Sequence, residues 1–279
     1  MVSGCMARRY QLLASLVAVI ILTALPVGAL AKGDLDRLEL AGSVRTVVTK
    51  HPQLKTTHHF DRSGNLTELQ LSPSEGTGSA RYLYTYGADG TLAEEQTYDA
   101  GGALVYRKVF RYGTDDRGRR SVQVAATEKG MFAHVEFAFY DAKGMLAEEV
   151  MITGQGVSEK SLYDVRGNLI YHARYFQGRL VVEATHHHGP LGRLKESRFY
   201  GPDGDLMRVD RYRYDQAGNR LEQSSEFFKQ SHLRKSVISY EFDPVGNWTK
   251  ETIQRWSDKN GSVALTESLV SRERTITYY

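Results

Sequence analysis

A short phrase recurs along the chain and constrains its fold more than any other feature. The phrase consists of an aromatic residue, usually Asp, two variable residues, Gly, often Asn, and then Leu. Its fullest copy runs from Tyr163 to Leu169. Other copies span residues 60–66, 86–92, 98–104, 140–146, 200–206, 214–220 and 242–248. Repetition at this density predicts an architecture in which one small unit is used many times.

Each position of the phrase has a local physical role. Asp164 can accept a hydrogen bond from the backbone N–H two residues on, and Gly167 can adopt a positive φ without a Cβ clash. This combination predicts a type I turn followed by a left-handed residue, which is a three-residue hairpin with a bulge. Tyr163 then lies opposite Leu169, and such a cross-strand pair contributes about 0.2–1 kcal/mol. The phrase therefore predicts a β-hairpin.

The spacing of the turn glycines predicts how the hairpins follow one another. Most steps equal one strand plus one turn, or close to twice that length, and each double step has a further loop signal at its middle. We therefore expect a continuous up-and-down meander of antiparallel strands. The predicted turn glycines are Gly64, Gly90, Gly102, Gly118, Gly144, Gly167, Gly178, Gly192, Gly204, Gly218 and Gly246.

The strands carry charges on both faces. In the segment 104–112, Tyr106 and Phe110 alternate onto one face and Arg107 onto the other, but Lys108 shares the face of the aromatic residues. A thick sandwich core does not tolerate that many charges. The expected fold is therefore all-β, an antiparallel meander of hairpins that forms a long twisted sheet or a solenoid-like array.

The phrase Tyr-Asp-x-x-Gly-Asn-Leu resembles the YD repeat of the RHS-repeat proteins, and the resemblance covers most of residues 58–250. That family comprises bacterial envelope and secreted proteins built from β-hairpin repeats. Its larger members wrap a sheet into a shell around a toxin, and the repeats are associated with carbohydrate binding. This repeat region is too short for a large shell, and no toxin-like domain follows Trp248. The resemblance implies a small stand-alone secreted member.

Residues 1–31 have the features of a secretory signal peptide, with a basic start at Arg8 and Arg9, an apolar stretch over 12–25 and a small-x-small site at 29–31. We expect one β domain over 32–279, located in the periplasm or outside the cell. Cys5 is the chain's single cysteine and lies in the leader, so the exported chain has no disulfide and no thiol. Without Arg8 and Arg9 it carries 34 basic and 33 acidic residues, which does not indicate a nucleic-acid partner.

A metal site formed by histidines and carboxylates is the most specific candidate for a functional site. The predicted register places His186 and His188 on one strand face with Glu196 opposite His186, and Glu183 opposite His172. Zinc needs three or four convergent ligands, and this arrangement supplies two on each face. The sequence also contains no Gly-x-Ser-x-Gly, His-Glu-x-x-His or phosphate-loop motif. We therefore expect no cofactor and no catalytic activity.

Tyrosines are the remaining candidates for ligand binding. The predicted register places Tyr82, Tyr84, Tyr86, Tyr98, Tyr106 and Tyr112 on matching faces of neighbouring strands. These rings can pack against each other across strands, or they can bind a sugar face or an extended partner chain. A protein partner could also add a strand to an open sheet edge.

An outer-membrane barrel requires one uniformly apolar face, which these strands lack, so no integral membrane segment is expected after leader removal. The sequence therefore predicts an exported, non-catalytic binding or structural module of the bacterial envelope. Its ligand is a glycan such as peptidoglycan, or an envelope protein. The alternative is a metal-dependent envelope hydrolase with a His/carboxylate site.

Overall fold

The computed structural model describes residues 35, 38, 40–74, 78–229, 232–259 and 262–279, without the side chains of 259 and 262–271. The predicted leader, residues 1–31, lies outside the described residues. The strands are β1 Val44–His51, β2 Leu54–Phe60, β3 Leu66–Pro73, β4 Ala80–Tyr86, β5 Leu92–Tyr98, β6 Leu104–Thr114, β7 Arg120–Glu128, β8 Met131–Tyr140, β9 Leu146–Thr153, β10 Val157–Tyr163, β11 Leu169–Phe176, β12 Arg179–His188, β13 Leu194–Tyr200, β14 Leu206–Tyr214, β15 Arg220–Phe227, β16 His232–Phe242, β17 Trp248–Lys259 and β18 Ser262–Tyr278. None of the described helical residues belongs to a helix long and apolar enough to cross a membrane.

The sheet closes on itself. Every strand pairs antiparallel with the next one in sequence, and β1 pairs with β18, where Val44 lies opposite Tyr278 and Lys50 opposite Glu273. The all-β antiparallel meander is confirmed, but the expected open twisted sheet or solenoid is wrong, because the fold is an 18-stranded β-barrel. Closure gives the first and last strands a partner and leaves no unpaired edge between them.

The predicted hairpin turn is confirmed in atomic detail. The Asp164 N–H donates to the Asn168 carbonyl at 2.9 Å, and the Gly167 N–H donates to the Asp164 carbonyl at 2.9 Å. Gly167 has a φ of 76°, and every other predicted turn glycine also has a positive φ. Tyr163 lies opposite Leu169 as expected, and the register shifts by one residue next to this pair.

The two ends of the barrel differ. At one end, the turn end, lie the eight hairpin connections from β2–β3 to β16–β17, and each contains one of the predicted turn glycines. The opposite end, the loop end, contains the turns at Gly102, Gly178 and Gly204 among connections whose lengths vary from two residues between β1 and β2 to six between β3 and β4. The structural repeat is therefore a pair of strands with its turn at the turn end.

Tyrosine hydroxyls connect successive repeats. The Tyr86 hydroxyl donates to the Leu66 carbonyl at 2.8 Å, and the Tyr112 hydroxyl donates to the Leu92 carbonyl at 2.7 Å. In both cases the acceptor is the last residue of the phrase in the preceding repeat. Tyr86 occupies the aromatic position of the phrase, whereas Tyr112 lies two residues before Thr114, which takes that position across the Gly118 turn. Tyrosines at or near the turn end therefore stabilise the contact between successive hairpins.

Most of the buried residues point into the barrel, whereas the buried Ala173 and Val209 lie on the outer wall, opposite Glu183 and Glu226. One apolar cluster contains Leu40, Val44, Val47, Phe60, Leu66, Leu69, Leu71, Tyr82 and Tyr84, and a second contains Val122, Val124, Ala138, Tyr140 and Leu146. Leu35 and Leu38, before the first strand, pack against the first cluster. Residues that alternate with these buried positions form the outer wall.

The outer wall carries cross-strand ion pairs around much of the barrel. They include Glu68–Arg81, Glu94–Arg107, Glu148–Lys160, Glu196–Arg211 and Glu222–Lys235. Opposite charges that face each other across antiparallel strands stabilise the pairing modestly, by about 0.2–1 kcal/mol each. The charges that the sequence places on both strand faces are thus divided between the outer wall and the barrel interior.

Side-chain bonds reinforce the closing seam. The Asn247 Oδ1 accepts the Ala41 N–H at 2.6 Å, and its Nδ2 donates to the Ala41 carbonyl at 3.0 Å and to the Tyr278 hydroxyl at 2.7 Å. The Tyr278 hydroxyl donates to Asp243 at 2.6 Å. One turn residue therefore joins the segment before β1 to the last strand.

Candidate functional site

The hairpin bulge places Tyr98 on the outer wall. Between Thr85 and Tyr86 the register shifts by one residue, so that Tyr82 pairs with Thr97 and Tyr98 lies opposite Arg81. The prediction that Tyr98 shares a face with Tyr82 is therefore wrong. Because successive residues of a strand point to opposite faces, a shift of one residue moves a side chain to the other side of the sheet.

The other predicted tyrosines lie on the inner wall. Tyr82 and Tyr84 are 7% and 6% exposed and belong to the first apolar cluster, where burial raises the pKa of Tyr82 to about 12. The hydroxyls of Tyr86 and Tyr112 bind backbone carbonyls, and the Tyr106 hydroxyl lies 2.7 Å from the His134 Nδ1. Cross-strand packing accounts for Tyr82 and Tyr84, while the ligand-binding role of the set stays a prediction. Tyr98 is the member that faces outward.

Tyr98 lies in a groove of about 490 Å³ on the outer wall near the loop end. A row of cross-strand neighbours runs through it, in which Gln70 pairs with Arg81, Arg81 with Tyr98, and Tyr98 with Leu104. The groove is lined by Gln70, Leu71, Ser72, Ser79, Ala80, Arg81, Leu83, Tyr98, Asp99, Ala100 and Gly102. It thus combines one aromatic ring with amide, hydroxyl, guanidinium and carboxylate groups.

Hydrogen bonds fix the polar side chains around this groove. Glu68 accepts from the Arg81 Nε at 2.6 Å and from the Gln70 Nε2 at 2.7 Å. On the next row, Glu94 accepts from the Arg107 Nε at 2.7 Å and from the Gln96 Nε2 at 2.6 Å. The Tyr98 hydroxyl donates to the Gln96 Oε1 at 2.6 Å, which orients the phenol ring.

The arginines keep both carboxyl groups of this network ionised. The hydrogen bond from Arg107 lowers the pKa of Glu94. At Glu68, desolvation works against ionisation, but the hydrogen bonds from Arg81 and Gln70 outweigh it and lower its pKa. The network therefore offers fixed acceptors and donors, which is the chemistry that recognises hydroxyl groups of a ligand.

A second polar cluster lies on the inner wall between β5 and β8. The Lys108 Nζ lies 3.5 Å from the Glu136 Oε1, and the His134 Nε2 lies 2.5 Å from the same oxygen. Lys108 can reach Glu136, two strands away, because the intervening residue is the small Ala126. Burial raises the pKa of Glu95, which lies opposite Lys108. The sequence predicts the face of Lys108 but not these partner side chains, whose shared inward position depends on the bulges.

The predicted His/carboxylate site is not assembled. His186 lies opposite Ser197, with 2.8 Å between Nδ1 and the hydroxyl oxygen, and Glu196 lies opposite His187. Glu196 therefore lies on the outer wall, where it accepts from Arg198 and Arg211, whereas His186 and His188 lie on the inner wall. The prediction that Glu196 faces His186 is wrong because of a bulge between His187 and His188.

The same one-residue shift separates the other predicted pair. Glu183 lies opposite Ala173, and His172 lies opposite Ala184, because of a bulge between Arg174 and Tyr175. Across the part of the chain that the structure describes, no group of three or more His, Cys, Asp or Glu side chains is arranged to hold a metal ion.

Comparisons with known proteins give distant structural likenesses. No protein-family model matches the chain, and no curated protein matches it. A porin-like protein from Bacteroides uniformis aligns with a TM-score of 0.47 at 11% identity, over 84% of this chain and 96% of that one. A porin-like protein from Bacteroides vulgatus aligns with a TM-score of 0.36 at 12% identity, over 86% and 99%. The TcdB2-TccC3-Cdc42 complex aligns with a TM-score of 0.21 at 12% identity, over 79% of this chain and 16% of that one. Likenesses this remote assign neither a family nor a function.

Proposed function

We propose that this protein is an exported, non-catalytic binding module of the bacterial envelope that holds a glycan in the outer groove beside Tyr98. The observation that carries the proposal is the groove itself, in which one outward-facing aromatic ring lies beside Arg81, Gln70 and Asp99. Aromatic rings pack against the apolar faces of sugars, while amides, carboxylates and guanidinium groups bind the hydroxyls at the sugar edge.

The fixed geometry of the groove favours binding over catalysis. Glycoside hydrolysis needs one carboxyl group that stays protonated near neutral pH and a second that is ionised. In the outer network, the pKa values of both Glu68 and Glu94 are lowered, so neither group is poised to donate a proton. Each carboxylate is also hydrogen-bonded to an arginine and an amide, which leaves it in a structural role.

Two features support our proposal for the environment of the barrel, its outer wall and its leader-like sequence. Cross-strand ion pairs cover the outer wall, and we therefore propose that this wall faces water. Residues 1–31 supply the signal for export, which we propose delivers the protein to the periplasm or the cell exterior. The alternative of a metal-dependent hydrolase lacks support, since Glu196 and the two histidines lie on opposite sides of the wall.

The proposal is tested by measuring how purified 32–279 binds a panel of glycans and peptidoglycan fragments. We expect the Tyr98→Ala variant to lose binding, because the ring supplies the apolar platform of the groove. Tyr200→Ala is the matched control. Tyr200 occupies the same position of the phrase in the β13–β14 hairpin, opposite Leu206, as Tyr98 does opposite Leu104.

Three results would contradict the proposal. Equal loss of binding in the Tyr98 and Tyr200 variants would place the site elsewhere on the barrel. Failure of the wild type to bind any glycan would exclude a glycan ligand, and capture of an envelope protein that depends on Tyr98 would then assign the groove to a protein partner. A turnover activity removed by a single polar substitution would overturn the non-catalytic assignment.

A further inference from the structure

Charges on the inner wall are divided between two sides of the barrel. The glutamates that point inward from β5 to β10 include Glu95, Glu136, Glu149 and Glu159. The arginines that point inward from β14 to β18 include Arg208, Arg220, Arg234, Arg255, Arg272 and Arg274. In a ring of 18 strands, β7 and β16 are nine strands apart, so these two groups lie on opposite sides of the interior. Asp210 and Glu251 also point inward from these strands, where they pair with Arg208 and Arg272, but the arginines outnumber them and make this side of the interior basic.

On the basic side, two arginines and two aromatic rings form a continuous strip, which we call the Arg–Phe strip (Phe199, Arg208, Phe227 and Arg234). The Arg208 guanidinium carbon lies 3.8 Å from the centre of the Phe199 ring and 5.8 Å from that of Phe227. The Arg234 guanidinium carbon lies 5.3 Å from the centre of the Phe227 ring. Two guanidinium groups thus share one aromatic ring.

The strip has fewer counter-charges than cations. Asp210 is its nearest acid, with an oxygen 3.2 Å from the Arg208 Nε, yet neither of these two buried atoms makes a hydrogen bond. The Arg234 Nε donates to the His232 Nε2 at 3.2 Å, and no carboxylate of the described residues forms an ion pair with Arg234. Guanidinium donors therefore remain available for a ligand. Unsatisfied buried donors of this kind usually mark a bound water, ion or ligand.

The strip is accessible from the interior of the barrel. Arg234 and the buried Ile238 are an even number of residues apart in β16, so both side chains point inward. Arg234 is nevertheless exposed. Because Arg234 is the third residue of β16, it lies near the loop-end mouth of the barrel, where an inward-facing side chain can contact solvent. Half-buried Arg208 and Phe227 line the wall beside it.

From this arrangement we infer that the Arg–Phe strip binds an oxyanion, a phosphate or carboxylate group carried by a ligand inside the barrel. Guanidinium groups bind both anions through two parallel N–H···O bonds. Stacking on Phe199 and Phe227 fixes the planes of the two guanidiniums, and their Nη groups, unlike the Nε of Arg234, make no hydrogen bond within the described residues. This site lies on the inner wall and is independent of the outer groove and of its glycan.

The test measures the binding of pyrophosphate and of citrate to purified 32–279 by calorimetry, with one arm for each anion. We expect Arg234→Gln to weaken binding of the preferred anion by about tenfold or more, because a pair of charge-assisted hydrogen bonds is lost. Arg234→Lys keeps the positive charge but lacks the planar pair of N–H donors. It should therefore bind more tightly than Arg234→Gln and more weakly than wild type. Arg208→Gln is expected to act like Arg234→Gln, with far-UV circular dichroism to verify that the barrel is folded.

Arg213→Gln is the matched control, since Arg213 lies on the outer wall of β14 with its side chain 75% exposed. It removes the same charge from the protein and should leave the affinity unchanged. Equal weakening by Arg213→Gln and Arg234→Gln would show that the anion responds to net charge alone and would overturn the inference. Failure of the wild type to bind either anion at millimolar concentration would also overturn it.

Discussion

At the scale of single residues, the Asp of the repeated phrase has a larger role than a generic turn former. The Asp164 Oδ1 accepts the backbone N–H groups of Arg166 and Asn168, and its Oδ2 accepts the Asn168 side-chain amide at 2.9 Å. The Asn of the phrase, whose role the sequence left unexplained, therefore binds the Asp of the same turn. Asp215 and Asn219 repeat this arrangement.

This bonding predicts a dependence of stability on pH. Desolvation opposes ionisation of Asp164, but the hydrogen bonds from Asn168 and Arg166 outweigh it and lower its pKa. A lowered pKa in the folded state stabilises the fold above the unfolded-state value of about 4, and that contribution is lost as the pH falls further. We expect Asp164→Asn to lower the free energy of unfolding at pH 7, and the difference from wild type to shrink below about pH 4. Chemical denaturation at several pH values measures this difference in unfolding free energy. A difference that does not change with pH would contradict the prediction.

Two turn glycines distinguish the cost of a left-handed backbone from the cost of a side-chain clash when Gly is replaced by Ala. Gly167 has a φ of 76°, and a Cβ there would lie 3.0 Å from the Met145 Cε, whereas Gly204 has a φ of 81° and a Cβ at that position would meet no atom within 4 Å. We expect Gly204→Ala to cost about 1–2 kcal/mol from the left-handed backbone alone. Gly167→Ala should cost slightly more, because the end of the Met145 side chain must also move aside. Thermal or urea unfolding measures both costs, and equal costs would show that the Met145 side chain moves freely.

At the scale of strands and hairpins, the sequence predicts the turns well and the faces less well. The phrase identifies Asp164, Gly167 and the pairing of Tyr163 with Leu169, because all of these contacts are local. It does not fix which face Tyr98 or Glu196 occupies, since each hairpin's bulge adds one residue to one strand. The bulge itself is predictable from the phrase, but faces are assigned correctly only when its extra residue is carried into the cross-strand register. For this reason the outer groove and the separation of Glu196 from His186 became visible only in the structure.

The inner cluster between β5 and β8 gives a prediction with the opposite pH sign. Burial raises the pKa of Glu95, against the favourable charge of Lys108. A raised folded-state pKa stabilises the fold below the unfolded-state value of about 4.3, and that contribution is lost as the pH rises. We therefore expect Glu95→Gln to stabilise the barrel at pH 7 and to have little effect at pH 4. Urea unfolding at both pH values measures it, and destabilisation at pH 7 would show that the charge of Glu95 is needed for its pairing with Lys108.

At the scale of the whole molecule, closure is the property that the sequence does not reveal. Each repeat specifies its own turn and its contact with the next repeat, and these local rules are compatible with an open or a closed sheet. Closure depends on the number of strands, their tilt and the accumulated stagger, which are sums over the entire chain. The register of the closing seam, in which Lys50 lies opposite Glu273 and Val44 opposite Tyr278, results from that sum. No short motif specifies this register.

The seam between the first and last strands can be tested with one pair of variants. Asn247 and Asn168 occupy the same position of the phrase, but Asn247 is buried and binds Ala41 and Tyr278 across the seam. We expect Asn247→Ala to cost about 1–3 kcal/mol, since it leaves buried polar groups unsatisfied. Asn168→Ala, which loses a bond within its own turn, should cost less. Equal costs in urea unfolding would show that the seam needs no support from Asn247.

Because β1 pairs with β18, the strands form a closed circle in sequence order, and that circle has no fixed starting strand. The Tyr279 N–H donates to the Ser43 carbonyl at 2.9 Å, so a short peptide could join the two segments and new termini could be opened at any exposed turn. Opening at Val165, on the tip of the β10–β11 turn, would start the chain half a circumference away and retain every strand pairing. The barrel is thus a circular arrangement of repeats in which any hairpin can serve as the first.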